Sequence, residues 1–268
     1  MKFTFDHDLH FHSTRSVCCK DENMTPEAAL SYAEKEGLTT ICLTNHFWDD
    51  EIPTEADRYK IQNFENLMQA APLPQKEGIR FLFGCETELD RDLVLGITKE
   101  KMEKMDFIVV PTTHFHMDTN VAPEDKDTAE KCAATWLNRL DAVLNMDLPF
   151  HKVGIAHLSC YLIARDDKKM HLEALSLIDE TKMRALFKKA AKLGCGIELN
   201  RRDMACLPEE EEFILRPFRI AKEEGCKFYL ASDSHTVKAF TLARATFESA
   251  IAKLNLTESD KFLLSVTF

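Results

Sequence analysis

The sequence predicts an α/β fold in which seven parallel strand–helix units close into a TIM-like barrel. Short apolar runs alternate along the 268 residues with longer amphipathic stretches, and this alternation is typical of successive βαβ units. Six of the apolar runs also end in histidine or acidic residues, and TIM barrels carry their functional side chains at the carboxyl ends of the strands. An open doubly wound sheet would concentrate such residues at one switch point, so the barrel is the favoured architecture.

The elements follow from local signals. The first strand is expected at the apolar run Phe3 to Phe5, just before the segment 8–12. Thr25 and Pro26 indicate the start of a helix, because threonine caps and proline suits the first turn, and Gly37 indicates its end. Further strands are expected at 39–44, 79–86, 106–111, 152–156, 195–199 and 227–231. Further helices are expected at 57–70, 98–104, 125–146, 179–192, 209–224 and 237–254.

Composition narrows the class of protein. The hydrophobic share of 45% and the charged share of 29% are ordinary for a soluble globular protein. The formal net charge is −11 without a block of Lys or Arg, which argues against nucleic-acid binding except for short nucleotides. No linker or low-complexity stretch divides the chain, so residues 1–268 are expected to form a single domain.

The cysteines and the hydropathy pattern bear on location. Nine cysteines, an odd number without a Cys-x-x-Cys pair, indicate reduced thiols rather than a disulfide framework. No signal peptide is predicted at the N-terminus, and no apolar stretch approaches the roughly 18 residues needed to span a membrane. A cytoplasmic location is therefore predicted.

The residues that end the apolar runs are of the types that bind divalent metals. His10 and His12 are two residues apart, so on a strand both imidazoles point to the same side, and Asp233 and His235 repeat this spacing. Glu86 directly ends its run, and its two carboxylate oxygens could each bind one cation. The expected metal ligands at this stage are His10, His12, His46, Glu86, His114, His157, Asp233 and His235.

Several alternatives stay open. Glu88 shares a strand face with Glu86 and could be a ligand or a solvated acid at the rim. His116 shares a face with His114 and competes with it for the same role. Asp8 could orient a ligand imidazole from behind. Three other histidines lack a strand-end context and are expected to be ordinary: His7, His151 and His171.

In their order along the chain, these motifs resemble the series of the polymerase and histidinol phosphatase (PHP) superfamily. The matching segments, between residues 8 and 235, are His10-Phe11-His12-Ser13, Thr44-Asn45-His46, Gly84-Cys85-Glu86, His114, His157 and Ser232-Asp233-Ser234-His235. The resemblance implies a distorted (β/α)7 barrel with its metal site at the C-terminal rim of the strands. It also implies two or three divalent ions, of zinc, manganese or iron.

The resemblance also implies how the ligands divide. One ion would be held by His10, His12, Glu86 and Asp233. Glu86 would bridge to a second ion held by His114 and His157, and His46 and His235 would help to hold a third.

Two positions depart from the family pattern. Cys18 stands where members with a full third site often carry histidine. A thiolate is a good zinc ligand, so Cys18 is a candidate, with Cys19 or Asp21 as alternatives. The other interpretation is a partly buried cysteine beside a weaker third site. Asn45 stands where an aspartate is usual, and this change should alter the charge behind the ligands rather than remove one.

Arginines bear on the substrate, since a guanidinium binds two phosphate oxygens at once. Glu198-Leu199-Asn200 resembles the Glu-x-Asn strand of the histidinol-phosphatase branch, in which a basic residue shortly downstream meets the phosphate. The candidate substrate-binding residues are Arg15, Arg165, Arg201 and Arg202.

The predicted function is hydrolysis of a small phosphomonoester, with histidinol phosphate as the leading candidate, by a metal-activated hydroxide. Glu86 would bridge the ions, and Asp233 or His235 would protonate the leaving group. The alternatives are a phosphodiesterase or nuclease acting on short nucleotides and a non-catalytic metal-binding regulatory barrel.

Overall fold

Nine short parallel strands form a nearly closed barrel with seven strand positions in the computed structural model, which describes residues 1–264. The strands are β1 (His7–Phe11), β2 (Thr40–Leu43), β3 (His46–Phe47), β4 (Arg80–Phe83), β5 (Cys85–Thr87), β6 (Ile108–Pro111), β7 (Val153–Ala156), β8 (Gly196–Asn200) and β9 (Lys227–Ala231). Two of the seven positions are each split, into β2 and β3 and into β4 and β5. The barrel that the sequence predicts is therefore confirmed.

The strands pair in chain order, and the first and last strands meet. One ladder runs β1-β2-β4 and the other runs β3-β5-β6-β7-β8-β9. At the carboxyl ends of β1 and β9, the Asp233 N–H donates to the His10 carbonyl (2.7 Å) and the His12 N–H donates to the Ser234 carbonyl (3.0 Å). At the other end of this seam, the Leu230 N–H donates to Nε2 of His7 (3.0 Å). His7 therefore joins the two strands.

The two breaks bring ligand candidates side by side. At Gly84, between β4 and β5, a Cβ atom would lie 2.4 Å from the carbonyl oxygen of Phe107, so only glycine allows this close approach. Beyond the breaks, β3 and β5 join the longer ladder and pair in register, with His46 opposite Glu86. Both residues therefore lie at the carboxyl end of the barrel.

Helices cover the outside of the barrel. They are α1 (Pro26–Glu36), α2 (Asp57–Lys60), α3 (Phe64–Met68), α4 (Lys99–Glu103), α5 (Ala129–Leu144), α6 (Lys168–Leu177), α7 (Glu180–Leu193), α8 (Arg201–Met204), α9 (Glu211–Ile214), α10 (Arg216–Glu223), α11 (Val237–Phe240) and α12 (Ala243–Lys253). Short 3₁₀ turns occupy Pro123–Asp125, Phe150–Lys152, Tyr161–Ala164, Pro208–Glu210 and Glu258–Asp260.

Some predicted boundaries are wrong. The run Phe3 to Phe5 is not the first strand; Phe5 instead packs against Phe247, with 5.4 Å between ring centroids. The helices predicted at 57–70, 209–224 and 237–254 are each interrupted, while α6 and α8 were not predicted. In the predicted helix 209–224, Pro217 lacks an amide hydrogen and cannot continue the preceding helix, so a new helix, α10, begins at Arg216.

The barrel interior is apolar and closed at its amino end. Leu9, Leu82, Phe107 and Tyr229 are buried inside it, and Phe262 joins them from the C-terminal segment. All nine cysteines lie in the described part of the chain and none forms a disulfide. Within residues 1–264, no helix combines the length and apolar character that crossing a membrane requires.

Candidate metal centre

A first group of ligand candidates meets at the carboxyl ends of β1 and β9. Nε2 of His12 lies 3.1 Å from Nε2 of His10, 3.1 Å from Oδ1 of Asp233 and 3.4 Å from Oε2 of Glu86. Donor atoms bound tetrahedrally to one ion at about 2.0–2.2 Å lie roughly 3.3–3.6 Å apart. These four side chains therefore have the spacing of ligands to a single ion.

A second group uses the other oxygen of Glu86. Oε1 of Glu86 lies 3.2 Å from Nε2 of His157 and 3.9 Å from Nε2 of His114. Oε2 of the same carboxylate faces the first group. Glu86 thus lies between two sets of donors with one oxygen directed at each, as a bridging carboxylate requires.

A third group contains Cys18, His46 and His235, with His12 beside them. Sγ of Cys18 lies 3.0 Å from Nε2 of His235. Burial opposes ionisation of this thiol, but the charge of His46 and the hydrogen bond with His235 outweigh it and lower the pKa of Cys18 to about 6. Cys18 is therefore poised as a thiolate, the form that binds zinc.

The two alternatives to Cys18 are engaged elsewhere. The Cys19 thiol donates to the carbonyl of His235 (3.3 Å), and burial raises the pKa of Cys19 to about 11. The Asp21 carboxylate accepts a hydrogen bond from the N–H of Val237 (2.9 Å). Of the three candidates, the structure brings only Cys18 to the histidines.

Two buried atoms test whether the centre suits a cation. Among the described residues, neither Nδ1 of His46 nor Oδ1 of Asp233 has a hydrogen-bond partner. Nδ1 of His46 lies only 2.9 Å from Oε2 of Glu86, yet the geometry is not that of a hydrogen bond. Leaving such atoms unsatisfied costs about 1–3 kcal/mol each, whereas a coordinated cation satisfies them. Imidazole, carboxylate and thiolate donors suit zinc, iron or manganese, so the residues fit the implied ions.

The protonation states of Glu86 and His12 suit a cation, whereas nearby carboxylates raise the pKa of His10, His46 and His157 despite burial, so those three rings release a proton when a metal binds. Burial raises the pKa of Glu86, but the charges of His46 and His10 outweigh it and hold this pKa well below its usual range. Burial, reinforced by the charge of His235, lowers the pKa of His12 well below its usual range. An ionised carboxylate and a neutral imidazole are the forms that bind metals.

Glu198 holds two of the ligand histidines from behind. Its Oε1 lies 2.6 Å from Nδ1 of His10, and its Oε2 accepts the backbone N–H of His157 at 2.9 Å. The side-chain amide of Asn200 lies 3.3 Å from Nδ1 of His157. With Nδ1 engaged, Nε2 of each ring is left to face the centre. The sequence signal for these two residues is the Glu-x-Asn pair at the end of a strand, which by resemblance indicates a substrate motif rather than support for the ligands.

Two alternatives that the sequence left open concern the carboxylates of Glu88 and Asp8. Glu88 is buried rather than solvated at the rim, and its two oxygens lie 2.9 and 3.0 Å from Nδ1 of His114. Asp8 does not orient an imidazole from behind. Its carboxylate accepts hydrogen bonds from the N–H of Ser232 (2.9 Å) and the hydroxyl of Tyr32 (3.2 Å), so it holds β1 against β9.

Two ligand candidates have strained backbones. His157 has φ 63° and Asp233 has φ 47°, in the left-handed region that non-glycine residues rarely adopt. Such strain costs of order 1–3 kcal/mol and persists where surrounding contacts over-determine it. The Asp233 N–H donates to His10, the His157 N–H donates to Glu198, and the Thr113 hydroxyl donates to the carbonyl of His157.

A cavity of about 260 Å³ opens over the centre. Arg165 and Arg202 line it, as predicted candidates for phosphate. Arg201 turns away, and its Nε donates to the carbonyl of Ser232 (3.3 Å). Arg15 also lies elsewhere, with its guanidinium donating to Oε1 of Gln69 (2.5 Å). Of the four candidate arginines, the structure therefore brings two to the cavity.

Three further residues line the cavity; the sequence predicts no role for Arg58 and Asp203, and it leaves His116 open as an alternative to His114. Arg58 comes from α2, in a segment whose pattern carried no signal for a site. His116 packs edge-on against His114 with 5.6 Å between ring centroids, and burial together with the charge of His114 lowers its pKa to about 4. Asp203 follows β8, and burial raises its pKa to about 7.

Comparison with known proteins agrees with this geometry. The family model described as PHP domain matches residues 8–202. No curated protein gives a significant match. One similar solved structure is that of histidinol phosphate phosphatase from Lactococcus lactis subsp. lactis Il1403, complexed with zinc, L-histidinol and phosphate. That structure is 21% identical, with a TM-score of 0.63 over 91% of this chain and 93% of the other.

A second match is an archaeal ribonuclease P structure with mature tRNA. It is 13% identical, with a TM-score of 0.38 over 98% of this chain and 97% of that one. At this TM-score the similarity carries no argument about fold or function.

Proposed function

The chain belongs to the PHP domain family, and from that premise we propose that it is a metal-dependent phosphoesterase that hydrolyses a small phosphomonoester. The observation that carries the proposal is the position of Glu86. Its two oxygens face two separate groups of metal-type donors, below a cavity that Arg165 and Arg202 line. A centre that only stabilised the fold would need four ligands closed off from solvent.

The proposed chemistry divides between the ions and the protein. When bound, divalent ions supply a water of lowered pKa and an electrophile for the phosphoryl group. The protein holds them through His10, His12, Glu86, His114, His157 and Asp233, with Cys18, His46 and His235 as the proposed third set. Arg165 and Arg202 offset the negative charge that grows on the phosphoryl oxygens.

The leaving alkoxide needs a proton. Asp233 and His235 remain the candidate donors, and Nδ1 of His235 lies 3.5 Å from Oδ1 of Asp233. Despite burial, the charge of His235 holds the pKa of Asp233 well below its usual range, and the charge of Asp233 raises the pKa of His235, so His235 is the better placed of the two to carry the proton. Their position at the base of the cavity supports this role on geometry.

Histidinol phosphate is the first substrate to test. It follows from the resemblance of Glu198-x-Asn200 to the histidinol-phosphatase branch. Here, however, Glu198 and Asn200 contact His10 and His157, so the motif supports the metal centre and leaves the alcohol part of the ester open. The proposal therefore names the class of phosphomonoesters, with nucleotide diesters as the competing class.

The test is phosphate release from a panel of phosphomonoesters and nucleotide diesters. The protein is loaded with Mn²⁺ or Zn²⁺ and compared with His114→Ala and with a matched control, His151→Ala, which alters an exposed histidine. We expect release from a monoester that His114→Ala loses and His151→Ala retains. Release from diesters alone would assign the chain to the competing class. Metal-loaded protein that is inactive on every ester would overturn the proposal.

A further inference from the structure

We propose that the outer part of the cavity binds a second anionic group of the substrate through Arg58 and His116. This inference depends on the proposed phosphoesterase function and specifies its substrate class. The preferred esters are those that carry a second phosphate or a carboxylate beside the phosphate to be released.

The first support is the state of these two side chains. Nε of Arg58 and Nδ1 of His116 are buried, and neither has a hydrogen-bond partner in residues 1–264. The guanidinium makes one contact, from Nη1 to the sulfur of Met117 (3.0 Å), which is a weak acceptor. A half-buried guanidinium whose one side-chain partner is a sulfur atom is unfavourable, and an anion in the cavity that Arg58 lines would offset its charge.

The second support is the charge balance of the lining. Within the described chain, none of the three cavity arginines, Arg58, Arg165 and Arg202, forms an ion pair with a carboxylate, so their positive charges are not offset by a direct partner.

The lining carboxylates are already occupied. Glu88 is held by His114 and by the side-chain amide of Asn120 (3.0 Å), while Glu86 and Asp233 belong to the metal groups. The fourth lining carboxylate, Asp203, is buried and accepts a hydrogen bond from the hydroxyl of Ser159 (3.4 Å). One phosphate at the centre can engage Arg165 and Arg202, which leaves Arg58 for a further anion. A cationic group placed there would meet an unpaired guanidinium and be repelled.

The third support is that Arg58 is held in place. Its neighbour Tyr59 is buried, stacks on Trp48 with 5.2 Å between ring centroids and 2° between planes, and donates its hydroxyl to Asn120 (2.8 Å). Asn120 in turn holds Glu88, which contacts His114. The short helix that carries Arg58 is thus tied to the metal centre, so a bound anion would meet a guanidinium that is already positioned.

The test uses pairs of esters that differ in the second anion. Glycerate 3-phosphate is compared with glycerol 1-phosphate, and fructose 1,6-bisphosphate with fructose 6-phosphate. We expect kcat/KM of the metal-loaded enzyme to favour the first member of at least one pair by tenfold or more, since a charge-assisted hydrogen bond discriminates by about this much. Histidinol phosphate carries a cationic amine in place of a second anion, so it should have a lower kcat/KM than the preferred ester of these pairs.

Variants assign the preference to Arg58. Arg58→Gln should bring the ratio within the pair close to one. Arg58→Lys should keep part of the ratio. The matched control is Lys60→Gln, which removes an exposed charge from the same helix and should keep the whole ratio. Circular dichroism and bound-metal content show that each variant is folded and loaded.

The outcomes separate the two proposals. If the enzyme hydrolyses monoesters without preference within either pair, prefers histidinol phosphate, or keeps its ratio in Arg58→Gln, the second anion site is wrong and the phosphoesterase proposal stands. If no ester releases phosphate, the phosphoesterase proposal fails and the second anion site fails with it.

Discussion

Glu198 is the residue at which the geometry makes the most demanding prediction about metal binding. Its carboxylate meets three groups, which are Nδ1 of His10 at 2.6 Å, the backbone N–H of His157 at 2.9 Å and the amide of Asn200 at 3.3 Å. The His10 contact uses one oxygen and the other two contacts share the second. In Glu198→Gln only one oxygen remains, so an NH₂ group must face a donor on one side or the other.

The expected magnitude follows from these contacts. Loss of a hydrogen bond behind a ligand imidazole lowers metal affinity by about 10- to 100-fold, which corresponds to about 1.4–2.7 kcal/mol. Activity should fall at limiting metal and recover in part at excess metal, because the ligands themselves remain. The affinity is measured by competition with a chromophoric zinc chelator, together with the number of ions retained after dialysis.

The matched control for this experiment is Glu209→Gln, which alters an exposed glutamate outside the cavity. It should bind zinc as the unmodified protein does. If Glu198→Gln also retained every ion with unchanged affinity, the orienting role of Glu198 would be refuted, and the 2.6 Å contact would have no bearing on the centre.

Three further predictions concern other parts of the centre and its support. Glu86→Ala should lose activity and at least one ion together, as measured by phosphate release and metal analysis; full metal content with retained activity would contradict the bridging position. Arg139→Lys should lower the free energy of unfolding by about 2–4 kcal/mol in urea denaturation, because the buried guanidinium donates to the carbonyls of four residues (Leu89, Asp90, Thr112 and Asn120), which a lysine cannot all reach. A loss below about 0.5 kcal/mol would show that these carbonyls find other partners. Because burial raises the pKa of Asp203 from 3.8 to about 7, the metal-free folded state binds this proton more tightly than the unfolded state, and the stability that protonation supplies is lost as pH rises through this range. The free energy of unfolding of Asp203→Asn, relative to that of the unmodified protein, should therefore rise between pH 5 and pH 8 by at most about 3 kcal/mol. Equal differences at the two pH values would contradict the raised pKa.

The local order of residues was enough to predict the barrel and the positions that converge. Most strands are short apolar runs, and the residue that follows such a run lies at the carboxyl rim of the barrel. Glu86, His114 and His157 could therefore be placed together from their positions at the ends of such runs, whereas His10 lies within β1 and its preceding run is not a strand. The structure brings them within 4 Å of a neighbouring donor.

The residues that support the ligand histidines from behind are brought into place only when the barrel closes. Glu198 is 188 residues from the His10 that it holds, and no local period relates the two. Adjacent residues also diverge once a helix begins. Arg201 and Arg202 open α8, where successive side chains point about 100° apart, so Arg202 lines the cavity while Arg201 turns to Ser232.

The sequence alone thus determined which residue types lie at the strand ends, because strand and helix periods are local properties of the chain. Only the tertiary structure decided which oxygen of Glu86 faces which donors, that Glu198 and Glu88 orient the histidines, and that Arg58 lies over the centre. These relations join segments far apart in sequence, and they arise only when the first and last strands meet and fix the distances across the barrel.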